Sequence, residues 1–211
     1  MLDFKSIKKE ALRKPCFIDH GSFLLCRPGK NYKVNAAISI LKTDHPILYD
    51  VGMGLDMINL VKNALNHIGR DPGDVKFAVI SHVHFDHCMN LALFNRIFPN
   101  CEVIIHHSSL DQIFRRSPQS HGKYDKKLSL YTTNFWKLIL QASFFSKRKV
   151  YTFRNAAKIP CEDRDLELIH TPGHSSGHAC LLDRTNGVLF LGDHLPFTPW
   201  LDISEHAIDD M

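Results

Sequence analysis

The segment Ser81-His82-Val83-His84-Phe85-Asp86-His87 gathers three imidazoles and a carboxylate directly after the apolar run Val75–Ile80. Side chains alternate along an extended chain. His82, His84 and Asp86 therefore project to one side if the strand direction persists, and His87 follows as the chain turns toward a helix. Imidazole nitrogens and a carboxylate converging at a strand end make a ligand set for a transition-metal ion. The chain has 14 histidines in 211 residues. At that density, chance places such a pattern somewhere in the chain only about 3 times in 1,000. Two further clusters also follow apolar runs. His170-Thr-Pro-Gly-His174-Ser-Ser-Gly-His178 comes after Leu166–Ile169, and Gly192-Asp193-His194 after Val188–Leu191. Pro172 and Gly173 demand a tight turn that would expose the His174 ring. A metal ion held there would supply an activated water, so no Ser or Cys nucleophile is needed.

The elements that must position these groups are also visible. Strand patterns cover Cys16–Cys26, Val34–Leu41 and Ile47-Leu-Tyr before Asp50;. Leu55, Ile58, Val61, Leu65 and Ile68 recur at helical spacing, with Gly69 in the stop position;. Val75–Ile80 is an all-apolar strand of the kind buried on both faces. A short helix through Leu91–Phe98 precedes a strand at Glu102–His106. Residues 108–158 read as a mainly helical insert, rich in aromatics from Leu128 to Phe145. Strands return at Leu166–His170, His178–Asp183 and Val188–Leu191, the last two joined by an Asn-Gly hairpin signal;. Strands and helices alternate in two sets around the insert, which predicts a layered α/β fold in one domain spanning residues 1–211.

Composition narrows the class. Hydrophobic residues are 44% and charged residues 23%, as in an ordinary globular protein;. The N-terminus is charged throughout and lacks an apolar signal core, and no run is long enough to span a membrane. The six cysteines include no C-x-x-C pair, which excludes a zinc ribbon or thioredoxin motif. A cytoplasmic protein with reduced thiols is the expectation. Charge is uneven: residues 107–160 carry 11 basic and 2 acidic side chains, and residues 161–211 carry 2 and 10. The basic stretch is either a solvated helical face or a wall for an anionic ligand.

The series H-x-H-x-D-H, T-P-G-H-S-x-G-H and L-F-x-G-D, with Asp50 upstream, resembles the metallo-β-lactamase superfamily from about Val34 to Pro196. The resemblance implies an αββα four-layer sandwich with metal at one edge. It implies that His82, His84 and His174 hold one ion, that Asp86 and His87 hold a second, and that Asp193 bridges them. Asp86 is also the side chain assigned to catalysis. Asp50 would fix the ligand loop by hydrogen bonds. His178 would be structural, while His20, His45, His67, His106, His107 and His121 match no ligand motif. The implied cofactor is zinc, as two ions, with iron as the alternative. The implied activity is hydrolysis of an ester, thioester or lactone by metal-activated water, on a small-molecule substrate. That substrate is anionic if the basic insert, with Phe135, Trp136, Phe144 and Phe145, lines the pocket. Nucleic acid is not expected.

Some positions depart from the family pattern. Cys88-Met89 stands where thioesterase-type members carry glycines, and Pro196 where acyl-homoserine lactonases carry a tyrosine. The last histidine usual at the second metal has no counterpart well downstream of Asp193. The expectation is a chain truncated before its C-terminal helix, strand and last ligand, with Ser204 opening the helix. His206 is the first substitute ligand to test. Two other readings stay open: a mononuclear non-haem iron oxidoreductase of the persulfide-dioxygenase kind, built on His82, His174 and Asp193, or a catalytically incomplete metal-binding fragment.

Overall fold

The computed structural model describes residues 16–18, 22–28, 34–114 and 149–194. Seven strands form one sheet in chain order: β1 (Cys16–Ile18), β2 (Ser22–Pro28), β3 (Val34–Leu41), β4 (Ile47–Tyr49), β5 (Phe77–Ile80), β6 (Glu102–His106) and β7 (Val150–Phe153). Four more form an antiparallel sheet in the order β11-β10-β9-β8: β8 (Ala156–Ile159), β9 (Leu166–His170), β10 (Ala179–Asp183) and β11 (Val188–Phe190). The helices are α1 (Leu55–His67), α2 (Phe85–Cys88), α3 (Leu91–Ile97) and α4 (His107–Phe114). In the large sheet β1 to β4 pair antiparallel and β4 to β7 parallel. Parallel pairing needs helical crossovers, and α1 supplies the one between β4 and β5. Its consequence for function is simple. The C-terminal ends of β4, β5 and β6 all open at one edge, where loops can bring side chains together.

The apolar residues divide into two cores according to the pleat. Ala78 and Ile80 of β5 face the helices, with Ile38, Ile40, Leu48, Val103 and Ile105 beside them. Met57, Val61, Ala64 and Leu65, at helical spacing on one face of α1, close over them together with Phe94 and Phe98;. Phe77 and Val79 point the other way, against Leu166, Leu168, Leu181 and Phe190 of the small sheet. All four β5 residues are therefore buried. Helix α1 ends as its sequence predicts. Gly69 takes φ 69°, and the Arg70 N–H reaches the Leu65 carbonyl at 2.9 Å while the Gly69 N–H reaches that of Asn66 at 3.0 Å;.

Two sequence expectations are corrected. The run Cys16–Cys26 is not one strand but two, paired Cys16↔Leu24 to Ile18↔Ser22, and Asp19 and Gly21 between them are turn-forming types. The end of the segment 108–158, assigned to a helical insert, contains β7 and most of β8. Val150-Tyr-Thr-Phe is a β-branched and aromatic run whose pairing partner, Val103–His106, lies far back in the chain;. The helical expectation holds for α4; the aromatic run and Arg115, Arg116, Lys147 and Arg148 lie outside the described residues, as do Ser204 and His206.

A buried ion pair joins the sheets. Arg164, before β9, donates from Nη1 to Asp183 Oδ2 at 2.9 Å and from Nη2 to the Lys42 carbonyl at 2.9 Å. The two side chains are 8% and 1% exposed. Asp183 also accepts from the Asn186 backbone at 3.1 Å and side chain at 2.8 Å, closing the β10–β11 turn. Removing one partner of a buried pair strands the other charge. Asp183→Ala should cost about 3 kcal/mol in equilibrium denaturation. Lys158→Ala, which breaks the exposed pair with Asp165, should change stability by no more than about 0.5 kcal/mol.

His106, at the end of β6, is buried and bonded through both ring nitrogens: Nε2 donates to the Arg154 carbonyl at 2.5 Å and Nδ1 accepts from the Ser108 N–H at 3.2 Å. That pattern needs the neutral ring. Burial, with His170, His107 and Arg154 around it, pushes its pKa down to about 4, although the Arg154 carbonyl opposes the shift. As pH falls below about 6.5 the unfolded chain takes up this proton and the folded chain does not until about 4, so stability declines across that window and the loss levels off below it. The slope of unfolding free energy against pH between 6.5 and 4 should be shallower in His106→Gln. An equal slope would show that other groups set the acid limit.

Candidate metal centre

The site is built on the loops that follow β4 and β5. Asp50 follows β4 with φ 66°, a left-handed conformation unusual for a residue with a Cβ;. This turn aims its buried carboxylate along the sheet edge. Oδ1 accepts the Ser81 N–H at 2.8 Å, and Oδ2 accepts the Ser81 hydroxyl and His87 Nδ1–H, each at 2.8 Å. The Val51 and Gly52 N–H groups both reach the His87 carbonyl, at 2.9 and 3.0 Å. The two loops are thus sewn together by backbone and side chain alike.

These bonds also set protons. A carboxylate can only accept, so the Ser81 hydroxyl spends its proton on Asp50. Its remaining contact, 2.9 Å to His82 Nδ1, then has Nδ1–H as the donor. That leaves the lone pair of His82 on Nε2, facing outward. The same argument at His87 leaves Nε2 free to face the carboxylates beyond it. Orientation of ligand imidazoles through their second nitrogen is what a metal centre requires.

The outward atoms converge. His82 Nε2 lies 2.9 Å from His84 Nδ1, and His174 Nε2 lies 3.2 Å from the first and 3.0 Å from the second. Asp193 Oδ2 stands 3.6 Å from His174 Nε2 and 3.2 Å from His87 Nε2, between the two groups. Asp86 Oδ2 is 3.8 Å from His87 Nε2. His82, His84, His174 and Asp193 place their ligand atoms within 4.8 Å of one another. Tetrahedral zinc with nitrogen ligands at 2.0–2.1 Å needs edges of roughly 3.3 Å, so the donor spacing fits such an ion. Protons do not substitute for it well. Burial and the neighbouring His87, His84 and His174 hold the His82 pKa well below the usual histidine value.

Electrostatics separate the remaining groups. Burial opposes a charge on His87, but Asp50 and Asp193 outweigh it and raise its pKa well above normal. Burial likewise opposes ionisation of Asp193, yet the His87, His174 and His84 rings bring it down to about 2. At Asp86 burial dominates, and its pKa is raised. The Cys88 thiol beside the motif is buried and raised far out of the nucleophilic range;.

The structure brings all six sequence candidates to one place: His82, His84 and His174 face each other, and Asp86, His87 and Asp193 adjoin them. His178 lies just behind. Its Nδ1 bonds Thr171 Oγ1 at 2.9 Å, and its buried Nε2 faces Gly192 without a hydrogen-bond partner. A Cβ on Gly192 would sit 2.8 Å from that nitrogen and 3.0 Å from the Tyr49 hydroxyl, and its φ of 55° favours glycine;. This glycine lets the chain dive close enough for Asp193 to reach the cluster. His170 is elsewhere, stacked on His106 with centroids 3.8 Å apart and planes 7° apart. Ser81 went unnoticed in the sequence. A hydroxyl directly after the strand neighbouring that of Asp50 was the available signal.

The comparisons agree with this geometry. The family model described as the metallo-beta-lactamase superfamily matches residues 34–210. An N-acyl homoserine lactonase from Bacillus thuringiensis subsp. kurstaki is 25% identical, over 81% of this chain and 67% of its own. An acyl-coenzyme A thioesterase from Bos taurus is 27% identical, over 72% of this chain and 54% of its own. Among solved structures, a metallo-β-lactamase family protein from Thermus thermophilus superposes with a TM-score of 0.63 at 21% identity, covering 90% of this chain and 66% of that one. A mutant metallo-β-lactamase from Cronobacter sakazakii gives 0.59 at 18%, covering 83% and 62%. The chain spans roughly half to two thirds of the length of these relatives. With the strand order, the ligand geometry and a family match running through most of its length, this chain belongs to the metallo-β-lactamase superfamily.

Proposed function

We propose that the chain is a metal-dependent hydrolase of a small acyl ester, thioester or lactone, with zinc as its metal. The observation that carries this is the convergence of His82 Nε2, His84 Nδ1 and His174 Nε2 at 2.9–3.2 Å, with Asp193 shared toward His87. His82, His84 and His174 would hold one ion, Asp86 and His87 a second, and Asp193 both. When bound, such ions lower the pKa of water toward neutrality and polarise a carbonyl oxygen. The protein's share is orientation and proton placement. Asp50 and Ser81 fix the His82 tautomer, and Asp193 stays ionised. Asp86, the side chain assigned to catalysis, adjoins His87 and is the carboxylate that would take the proton from the attacking water;.

The substrate class rests on relatives named as an N-acyl homoserine lactonase and an acyl-coenzyme A thioesterase. The excess of basic residues between 107 and 160 favours an anionic acyl carrier over a neutral lactone;. The iron reading needs only His82, His174 and Asp193. His84 stands as close to His82 and His174 as they do to each other, and a third imidazole suits zinc better than a facial-triad iron. Among the described residues no helix is long and apolar enough to cross a membrane.

Protein purified without added metal should contain zinc by elemental analysis, and His82→Ala/His84→Ala should contain none. Unchanged zinc in the double variant would remove the site assignment. Asp50→Asn replaces one accepting oxygen with a donor and should weaken metal affinity about 10- to 100-fold while the fold persists. Acyl-coenzyme A and N-acyl homoserine lactone hydrolysis should both be assayed, with loss on chelation and recovery on zinc addition. Metal-loaded protein that cleaves neither would leave a binding fragment as the reading.

A further inference from the structure

His174 reaches the cluster from the small sheet, whereas His82 and His84 come from the large one. The relative placement of the two sheets at this edge therefore decides whether three nitrogens can share an ion. The loop carrying His174 is closed on itself by Thr171 N–H to the His178 carbonyl at 2.9 Å and His178 N–H to the Ser175 carbonyl at 3.1 Å. It is then tied to the large sheet on both sides. At its end the Ala179 N–H reaches the Ser81 carbonyl at 2.9 Å. On the other side lies α4. The buried Ser109 hydroxyl donates to the Gly177 carbonyl at 2.8 Å, and Gln112 Nε2 to Ser176 Oγ at 2.6 Å. His170, stacked on His106, donates from Nε2 to the Ser176 carbonyl at 3.0 Å.

The tightest of these contacts is at Gly177. A Cβ there would sit 2.1 Å from Ser109 Oγ, 2.4 Å from its backbone nitrogen and 2.8 Å from its Cα. Gly177 is not among the residues with positive φ. Glycine at this position thus answers a steric demand and not a conformational one. No side chain can enter without driving α4 and the His174 loop apart.

We propose that Ser109, seated against Gly177, is a positioning residue for His174, setting the separation between ligands contributed by the two sheets. The proposal rests on the metal reading above. Ser109 touches neither metal nor substrate; it acts through three residues of loop. Its loss should loosen His174 selectively, since His82 is anchored separately through Ser81 and Asp50.

The test uses cobalt(II) as a spectroscopic stand-in for zinc in the full chain. Wild type, Ser109→Ala, Gly177→Ala and a remote core variant, Val61→Ala, are titrated with cobalt, and thermal stability is measured alongside. Ser109→Ala should lower affinity about ten-fold and alter the d–d absorption that reports coordination number, and Gly177→Ala should do both more strongly. Val61→Ala should lose stability and keep the wild-type spectrum and affinity. If Gly177→Ala does not fold, Ser109→Ala, which removes only a hydroxyl, decides. Wild-type affinity and spectrum in Ser109→Ala would overturn the positioning role alone. Wild type that takes up no cobalt would overturn the metal reading, and this proposal with it.

Discussion

A carboxylate taken out of water must be matched by donors on each oxygen or it costs several kcal/mol, and Asp50 is 2% exposed;. Its donors are Ser81, twice, and His87. Meeting that demand fixes the loop after β5, because both residues belong to it. It also fixes the protons, since the serine that gives its hydrogen to Asp50 must accept from His82. One desolvated charge thereby selects the tautomer of His82 and decides which nitrogen of His87 faces outward. The left-handed backbone at Asp50 costs roughly 1 kcal/mol. That strain is what turns the side chain toward Ser81 and away from the core.

Topology then supplies the rest. In the large sheet, β4 and β5 run parallel, so Asp50 and the Ser81–His87 loop emerge at the same edge. The small sheet reaches that edge by a different route. Its β9 and β11 both pair antiparallel to β10, so they run in the same direction and finish on the same side. His174 follows β9 and Asp193 follows β11. Two sheets with different pairing rules therefore present ligand loops toward each other, and the apolar layer of Phe77, Val79, Leu168 and Leu181 holds them face to face.

Much of this was legible in the chain because the signals are local. Strands β3, β4, β6 and β9 coincide with their apolar runs, and Gly69 stops α1 where the period ends. The candidate cluster was legible because the spacing of its histidines is specific. What the sequence hid is long-range. Val150–Phe153 reads ambiguously until Val103–His106 is beside it, and a basic, aromatic neighbourhood biased it toward helix. Ser81 and Ser109 are common residues whose importance comes from partners 31 and 68 positions away. His106 matched no motif, and none was needed: its role is a stack with His170 and two backbone bonds.

The donor chemistry makes the two halves of the centre unequal. One offers three imidazoles at near-tetrahedral spacing. The other, among the described residues, offers one imidazole and two carboxylates, one of them shared. A borderline-soft ion such as zinc would favour the nitrogen-rich half. Asp193 links them, because the same Oδ2 stands 3.6 Å from His174 and 3.2 Å from His87. On the two-ion proposal, an ion in the first position that fixed this carboxylate would also fix a ligand of the second, and the two occupancies would be thermodynamically coupled. Such coupling would be reciprocal: a disturbance at His87 would reach the three-histidine group through Asp193, although no side chain of that group had changed. Gly192 is the hinge of this link. Only a residue without a side chain can pass between His178 and Tyr49 and still deliver its neighbour to both positions.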